Sequence, residues 1–358
     1  MKKKYEINKN ITSNSKQIEL LKKHFPNCFD KNGNFLINKI IEILKSEDID
    51  FIKEGYSLNW LGKTYARLLA NLETETLIAP NNDHNEKTDN NQNSKNILIK
   101  GDNLEALKHL KNAYREKIKM IYIDPPYNTG GDGFVYEDNR KYTVEDLVKF
   151  IGIDRDEAKR VLEFTQSKSN GHSAWLTFMY PRLYIAKELM CDDGIIFISI
   201  DDNEQAQLKI LCDEIFGEDS FLGHISWESK TKPQNTETAY NKLQPKTEYI
   251  WVYSLDPKVK FNQINLGQKE YPENDEKGKY RYDKVEQMDL AGMRGRKTMV
   301  FEILGIPPKE GFQWKLGQDT IDEYINTGDI ILKDNIPFIK MRPEYERSEK
   351  LEPFWGFF

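Results

Sequence analysis

The stretch "MIYIDPPYNTGG", residues 120–131, is a hydrophobic run that stops at an acid followed by two prolines and a tyrosine. Pro125 and Pro126 fix their φ angles and remove two backbone donors, so the chain leaves a strand stiff and extended and cannot begin a capped helix directly. It presents a carboxylate on Asp124, a fixed carbonyl acceptor and, on Tyr127, a flat ring. Together these suit a planar amine, with two N–H bonds taken in the plane and one face stacked. The exocyclic amino group of a nucleobase extruded from a duplex is such an amine.

The flanking periodicity sets the fold class. "NILIKGD" (96–102), "IKMIYID" (118–124) and "IIFISID" (195–201) read as strands that are apolar along their whole length. Amphipathic helices are expected between and after them: "NLEALKHLKNAYREK" (103–117), "SAWLTFMYPRLYIAKELMCDDG" (173–194, closed by Gly194) and "NEQAQLKILCDEIFG" (203–217, closed by Gly217). Such alternation predicts an α/β core whose parallel sheet is covered on both faces. "TEYIWVYSLD" (247–256) reads as one more strand. Upstream, residues 1–80 form a helical N-terminal region and residues 81–95 a polar linker, leaving 96–255 as the core. Residues 256–358, with short pieces such as "DIILKD" (329–334), are expected to be mixed α+β.

Bulk properties narrow the function classes. At 358 residues the chain exceeds the usual single domain, so two or three units are expected. No apolar run approaches the roughly 18 residues of a membrane helix, and the basic start "MKKKYEINKN" lacks the apolar stretch of a signal peptide. The cytoplasm is the expected location, with no membrane partner. Cys28, Cys191 and Cys212 are too scattered for a disulfide framework or a zinc site, so no metal is expected. Although the net charge is −6, residues 277–297 carry seven Lys/Arg against three Asp/Glu, with tyrosines interleaved.

In an open parallel sheet ligands bind beyond the carboxyl ends of the strands, which here are marked by Asp102, Asp124 and Asp201. Asp201 reads as the N-cap of the helix that follows. Next to Asp102, Asn103 could cap its helix instead, which would free the Asp102 carboxylate for a ligand. Ser173 reads as the N-cap of the long helix, and Trp175 as either core or pocket wall. "TGGDGF" (129–134) follows the turn without opening a helix, as a lid over a bound base would. Gly62-Lys63-Thr64 lacks the first glycine of a phosphate loop, and His24 and Cys28 in "HFPNC" are expected to pack in a core.

Asp124 to Tyr127 resembles the [D/N/S]-P-P-[Y/F/W] signature of amino-methyltransferases, in which Asp is typical of adenine-N6 DNA enzymes. Asn at that place is more usual for glutamine side chains of proteins, and Ser for cytosine-N4. With "GKTYARLLANL" (62–72), "NILIKGDNLEALKHL", "FVYEDN" (134–139), the long run 172–221 and "YRYDKVEQMDLAGMRGR" (280–296), the chain from about residue 55 onward resembles the modification subunit of type III restriction-modification systems. In that group the catalytic motif precedes the cofactor motif.

The resemblance implies a Rossmann-like methyltransferase fold in permuted order, S-adenosyl-L-methionine as donor and an asymmetric double-stranded DNA site as substrate. It also implies a modification-subunit homodimer and a helicase-nuclease restriction subunit as partner. Asp124 and the Pro125 carbonyl would hold the adenine amino group, with Pro126 stiffening the turn and Tyr127 stacking on the base. Asp102, with Asn103 and Trp175, would lie near the donor. Residues 229–246, "SKTKPQNTETAYNKLQPK", and the basic patch would make the target-recognition contacts, through Lys230, Lys232, Arg294, Arg296 and Lys297.

The chain departs from the family pattern in two places. The F-x-G-x-G signature is absent from these 358 residues, so the chain is expected to be an amino-terminal portion with an incomplete fold, weak donor binding and little activity alone. Thr247 stands where relatives commonly have His. The alternative from another class is a non-catalytic, truncated protein that binds only DNA or a partner subunit.

Overall fold

The computed structural model describes residues 8, 11–30, 32–45, 58–138, 140, 142–233, 243–291, 294–354 and 356–357. The chain divides into two compact units, one of residues 1–259 with 355–358 and one of residues 260–354.

The first unit is built on a four-stranded sheet of order β1-β2-β4-β3. Its strands are β1 (Ile118–Ile123), β2 (Met190–Ile200), β3 (Phe221–Glu228) and β4 (Thr247–Ser254). β1 and β2 are parallel, with Ile121 opposite Ile196 and Ile123 opposite Ile198, whereas β4 runs antiparallel to both β2 and β3. The parallel ladder breaks between Ile118, which faces Met190, and Met120, which faces Ile195. One residue of β1 thus spans four of β2.

Helices His172–Leu189 and Gln205–Phe216 pack against the sheet through Trp175, Leu176, Met179, Leu183, Leu208 and Leu211, which meet Ile196, Ile198 and Ile200. The longer helix is buried almost all round, as a helix apolar on every side must be. Its Ile185 joins a second cluster with Tyr65, Leu68 and Leu69 of helix Lys63–Asn71, Leu104 of helix Asn103–Tyr114, Leu147 of helix Val144–Ile151 and Val161 of helix Arg155–Gln166. Thr143 and Asp146 close a capping box on the 144–151 helix. Before these lie helices Ser15–His24 and Ile37–Lys45.

In the second unit the main sheet has the order β10-β11-β7-β6, built from β6 (Glu273–Asp275), β7 (Gly278–Lys284), β10 (Ile330–Lys333) and β11 (Ile336–Met341). Two further pairs accompany it, β5 (Ile264–Gln268) with β12 (Glu349–Glu352) and β8 (Gln287–Asp289) with β9 (Phe312–Trp314). Helix Gln318–Asn326 sets Ile321 against Trp314, Ile330 and Ile339. Arg342, 1% exposed, donates to Asp329 at 2.7 Å and to Asp275 at 2.8 Å. A buried guanidinium held between two acids keeps its charge compensated.

Several expectations are corrected. "NILIKGD" forms no strand, and Ile97 and Leu98 are 66% and 89% exposed because no neighbouring strand among the described residues pairs with them. Among the described residues the sheet has one parallel pair, β1 with β2. It is not covered on both faces either, since Met120 and Tyr122 are 60% and 58% exposed while Ile121 and Ile123 face the core. The long helix ends at Leu189 rather than Gly194, because Glu116 N and Lys117 N draw the carbonyls of Glu188 and Leu189 toward β1 and the chain turns straight into β2. Ser173 is not an N-cap, as the helix already begins at His172 after Gly171. Nor is Asp201, whose carboxylate accepts from Asn203 N at 2.9 Å while the helix starts only at Gln205. The polar segment 81–95 contains two short, exposed helical turns, Asn82–Asn85 and Asp89–Gln92.

Gly194 has a different role from a helix terminator. A Cβ there would lie 2.9 Å from the Cys191 carbonyl oxygen and 3.1 Å from that of Ile118, at the break in the β1–β2 ladder. Gly194→Ala should therefore lower stability by about 1–3 kcal/mol through overpacking, measured as a shift of the urea midpoint at unchanged m-value.

Candidate active site

β1 ends against the scaffold with its apolar side chains divided between core and solvent, and Asp124 emerges exposed at its carboxyl end. Pro125 is buried behind it, and Tyr127 packs its ring on the main core. The Tyr127 hydroxyl is bonded to the Asp124 side chain; burial, then the neighbouring carboxylate, push the phenol well above its ordinary range. It therefore stays protonated and donates.

The turn is held from three sides. Trp175, wholly buried, donates its indole N–H to the Pro126 carbonyl at 2.6 Å. Asn128 Nδ2 donates to Glu204 Oε1 at 2.6 Å. The Asn128 backbone N–H donates to Asp132 Oδ2 at 2.7 Å, and Asp132 Oδ1 accepts from Phe134 N at 3.1 Å. The 129–134 segment expected as a lid is thus an acid-centred turn tied to the end of the Asp124–Tyr127 segment. The Trp175 ring packs in the core and its N–H holds the Pro126 carbonyl.

At Asp102 the two alternatives resolve against a free carboxylate. Asp102 Oδ1 accepts from Glu105 N at 3.0 Å and so caps the 103–114 helix, while Oδ2 lies 3.7 Å from Arg182. Asn103 Oδ1 instead accepts from Arg182 Nε at 2.6 Å. Asp102 lines a cavity of about 460 Å³ beside Glu105, Lys108, Arg140, Phe178 and Arg182, and Asn103 bonds the Arg182 of that lining.

This cavity is densely charged. Arg140 bridges Asp138 at 3.0 Å and Glu105 at 3.2 Å, and Lys108 reaches Glu105 at 3.2 Å. The Arg182 guanidinium lies 3.5 Å from the Phe178 ring centroid, and burial pushes its pKa down to about 10. Burial also lowers that of Lys108. None of these residues stands out in the sequence. Arg182 sits in "YPRLY", within a helix whose other residues read as core, and Arg140 follows a strand-like piece without a motif.

Gly62-Lys63-Thr64 is accounted for structurally. Gly62 adopts φ +99° where a Cβ would meet Thr177 at 2.7 Å, and Lys63 Nζ is taken by Glu214 at 2.7 Å. Cys28 is buried, in keeping with packing, whereas His24 is exposed and does not share that core. Among the described residues no cluster of His, Cys, Asp and Glu could hold a metal ion, and no helix is long and apolar enough to cross a membrane.

The basic candidates fall in separate places. In the first unit, Lys230 and Lys232 are exposed just after β3, and residues 234–242 of the same stretch lie outside the described residues. In the second unit, Arg294, Arg296 and Lys297 project from the loop between β8 and β9. That loop is pinned by Gln313, 2% exposed, whose side chain donates to Arg294 O at 3.0 Å and accepts from Arg296 N. An otherwise apolar core thus spends a buried amide on holding two arginine backbones in place.

Residues 118–332 match the DNA methylase family model. The chain is 58% identical over 254 residues to the Mod subunit of the type III restriction-modification enzyme EcoP15I of Escherichia coli, covering 71% of this chain and 38% of that one. It is 53% identical over 275 residues to the EcoPI Mod subunit of Escherichia phage P1, covering 77% and 41%. To the StyLTI Mod subunit of Salmonella typhimurium it is 39% identical over 293 residues, covering 76% and 44%. The chain spans less than half the length of these relatives. With a family match over more than half its residues and an intact Asp124–Tyr127 turn at the end of β1, the chain belongs to the DNA methylase family, and within it is similar to the modification subunits of type III restriction-modification enzymes.

Proposed function

We propose that this chain carries the base-binding part of a site-specific DNA adenine-N6 methyltransferase of a type III restriction-modification system, acting on double-stranded DNA. The observation that carries the reading is the Asp124 carboxylate, exposed at the end of β1 on a turn fixed by Trp175, Glu204 and Asp132. In this reading the Asp124 carboxylate and the Pro125 carbonyl accept the two N–H bonds of a flipped adenine, and the Tyr127 ring stacks on its face. As the amino nitrogen takes a methyl group, the methyl–sulfur bond would break with its electron pair staying on sulfur as a neutral thioether; the nitrogen becomes cationic, and the acceptors already aimed at its protons stabilise that charge. Deprotonation beforehand is not needed; the proton leaves past Asp124 once the new bond has formed.

The donor is S-adenosyl-L-methionine, which supplies a methyl group activated by a sulfonium. The cavity beside Asp102 fits such a molecule chemically. Asp102 Oδ2 is left as an acceptor for a hydroxyl or ammonium group and Leu69, Leu72 and Phe178 join the lining, while Glu105, Arg140 and Arg182 already hold Lys108, Asp138 and Asn103. The cavity's volume lies within the usual range for small-molecule sites, on the order of 300–1,000 Å³. We further propose the restriction subunit and a second modification subunit as partners, by analogy with the systems that the relatives' names describe.

Single-molecule sequencing of DNA from a strain expressing this sequence within a chain of its relatives' full length should reveal N6-methyladenine at one asymmetric site, and Asp124→Ala should reduce that signal by about 10²–10³-fold. Adenine methylation that survives this substitution would remove the assignment of the clamp. For DNA recognition, alanine at both Arg294 and Arg296 should weaken binding to duplexes of any sequence. It should also flatten the slope of log K against log salt by about 2, one unit for each lost phosphate contact. An unchanged salt slope would take this loop out of the interface.

A further inference from the structure

Glu204 stands just before helix Gln205–Phe216 but caps it with no side-chain bond. It is wholly buried, and burial pushes its carboxyl above the ordinary carboxylate range. Oε1 accepts from Asn128 Nδ2 at 2.6 Å and lies 2.8 Å from His172 Nδ1, whereas Oε2 is buried without a hydrogen-bond partner. Asp201 adds a like charge nearby. An acid kept in this position is costly for the fold alone, since an apolar or amide side chain would avoid the desolvation. Its strong contact leads to Asn128, the residue after Tyr127, which is held at φ +59° in the left-handed region. Strained backbone of this kind persists only where its surroundings over-determine it.

We propose that Glu204 is a positioning residue for the catalytic turn: through Asn128 it locks the left-handed step after Tyr127 and thereby fixes the ring and the Asp124 carboxylate relative to each other. Asn128 is gripped twice, by Glu204 through its side chain and by Asp132 through its backbone N–H, while Trp175 holds Pro126 two residues earlier. His172, on the adjoining helix, bonds the same oxygen and keeps the carboxylate turned toward Asn128. The inference rests on the reading of Asp124–Tyr127 as a base clamp, and its test is separable from that reading.

Hydrogen exchange of the full chain, without DNA or donor, reports the lock directly. Glu204→Ala and Asn128→Ala should each speed exchange of the Asn128 and Thr129 amides by about tenfold, while the 172–189 and 205–216 helices keep their protection. Because Asn128 is outside the core, its variant does not threaten folding. The double variant should exchange no faster than either single one, and Glu204→Gln, which keeps an acceptor oxygen, should restore protection to within about threefold of the wild type. Unchanged exchange at Asn128 and Thr129, loosening spread evenly over both helices, or additive effects in the double variant would overturn the proposal. Loss of the base-clamp reading would appear elsewhere, as adenine methylation indifferent to Asp124, with this exchange pattern intact.

Discussion

Two consecutive prolines leave the segment after Asp124 without the N–H groups by which a loop ordinarily ties itself to its scaffold. It can be held only through its carbonyls and through side chains that reach it from elsewhere. The wholly buried indole of Trp175 does the first, bonding Pro126 from the long helix His172–Leu189. Glu204 and Asp132 do the second, through Asn128. The long helix and the start of helix Gln205–Phe216 are therefore what hold the turn from outside it.

What could be seen in the amino-acid pattern was the part that depends on local rules. The stiffness of Asp124–Tyr127, the apolar runs of β1 and β2 and the helices that begin near Asn103 and Gln205 all carry their signals within a few residues. What could not be seen depends on partners distant in the chain. The Asp102–Asn103 pair admits either capping choice locally, and Arg182, 79 residues beyond Asn103, decides it. "NILIKGD" has a strand's composition, but a strand also needs a neighbour. Glu204 reads as one polar residue in "DDNEQ", and only the fold reveals that it is buried and turned toward Asn128.

The second unit follows another economy. Its small core is apolar around Trp314, Ile321 and Ile339, yet two polar devices are built in, Arg342 between Asp329 and Asp275 and Gln313 beneath the Arg294–Arg296 backbone. Buried polar groups that are fully paired favour one arrangement over its near-alternatives. The basic patch recognised at 277–297 is in this respect two things: its β7 part is ordered by pairing with β6 and β11, while its loop part is tied by Leu290 N to Gly311 O and by the Gln313 amide.

The place of β1 as the outermost strand bears on approach. A residue at the end of a central strand is reached only along the sheet's axis, through the gap between neighbouring loops. Asp124 ends a strand with a neighbour on one flank only among the described residues, and the face carrying Met120 and Tyr122 is open. The Asp124–Tyr127 turn therefore ends an edge strand of the described sheet, not one held between two neighbours.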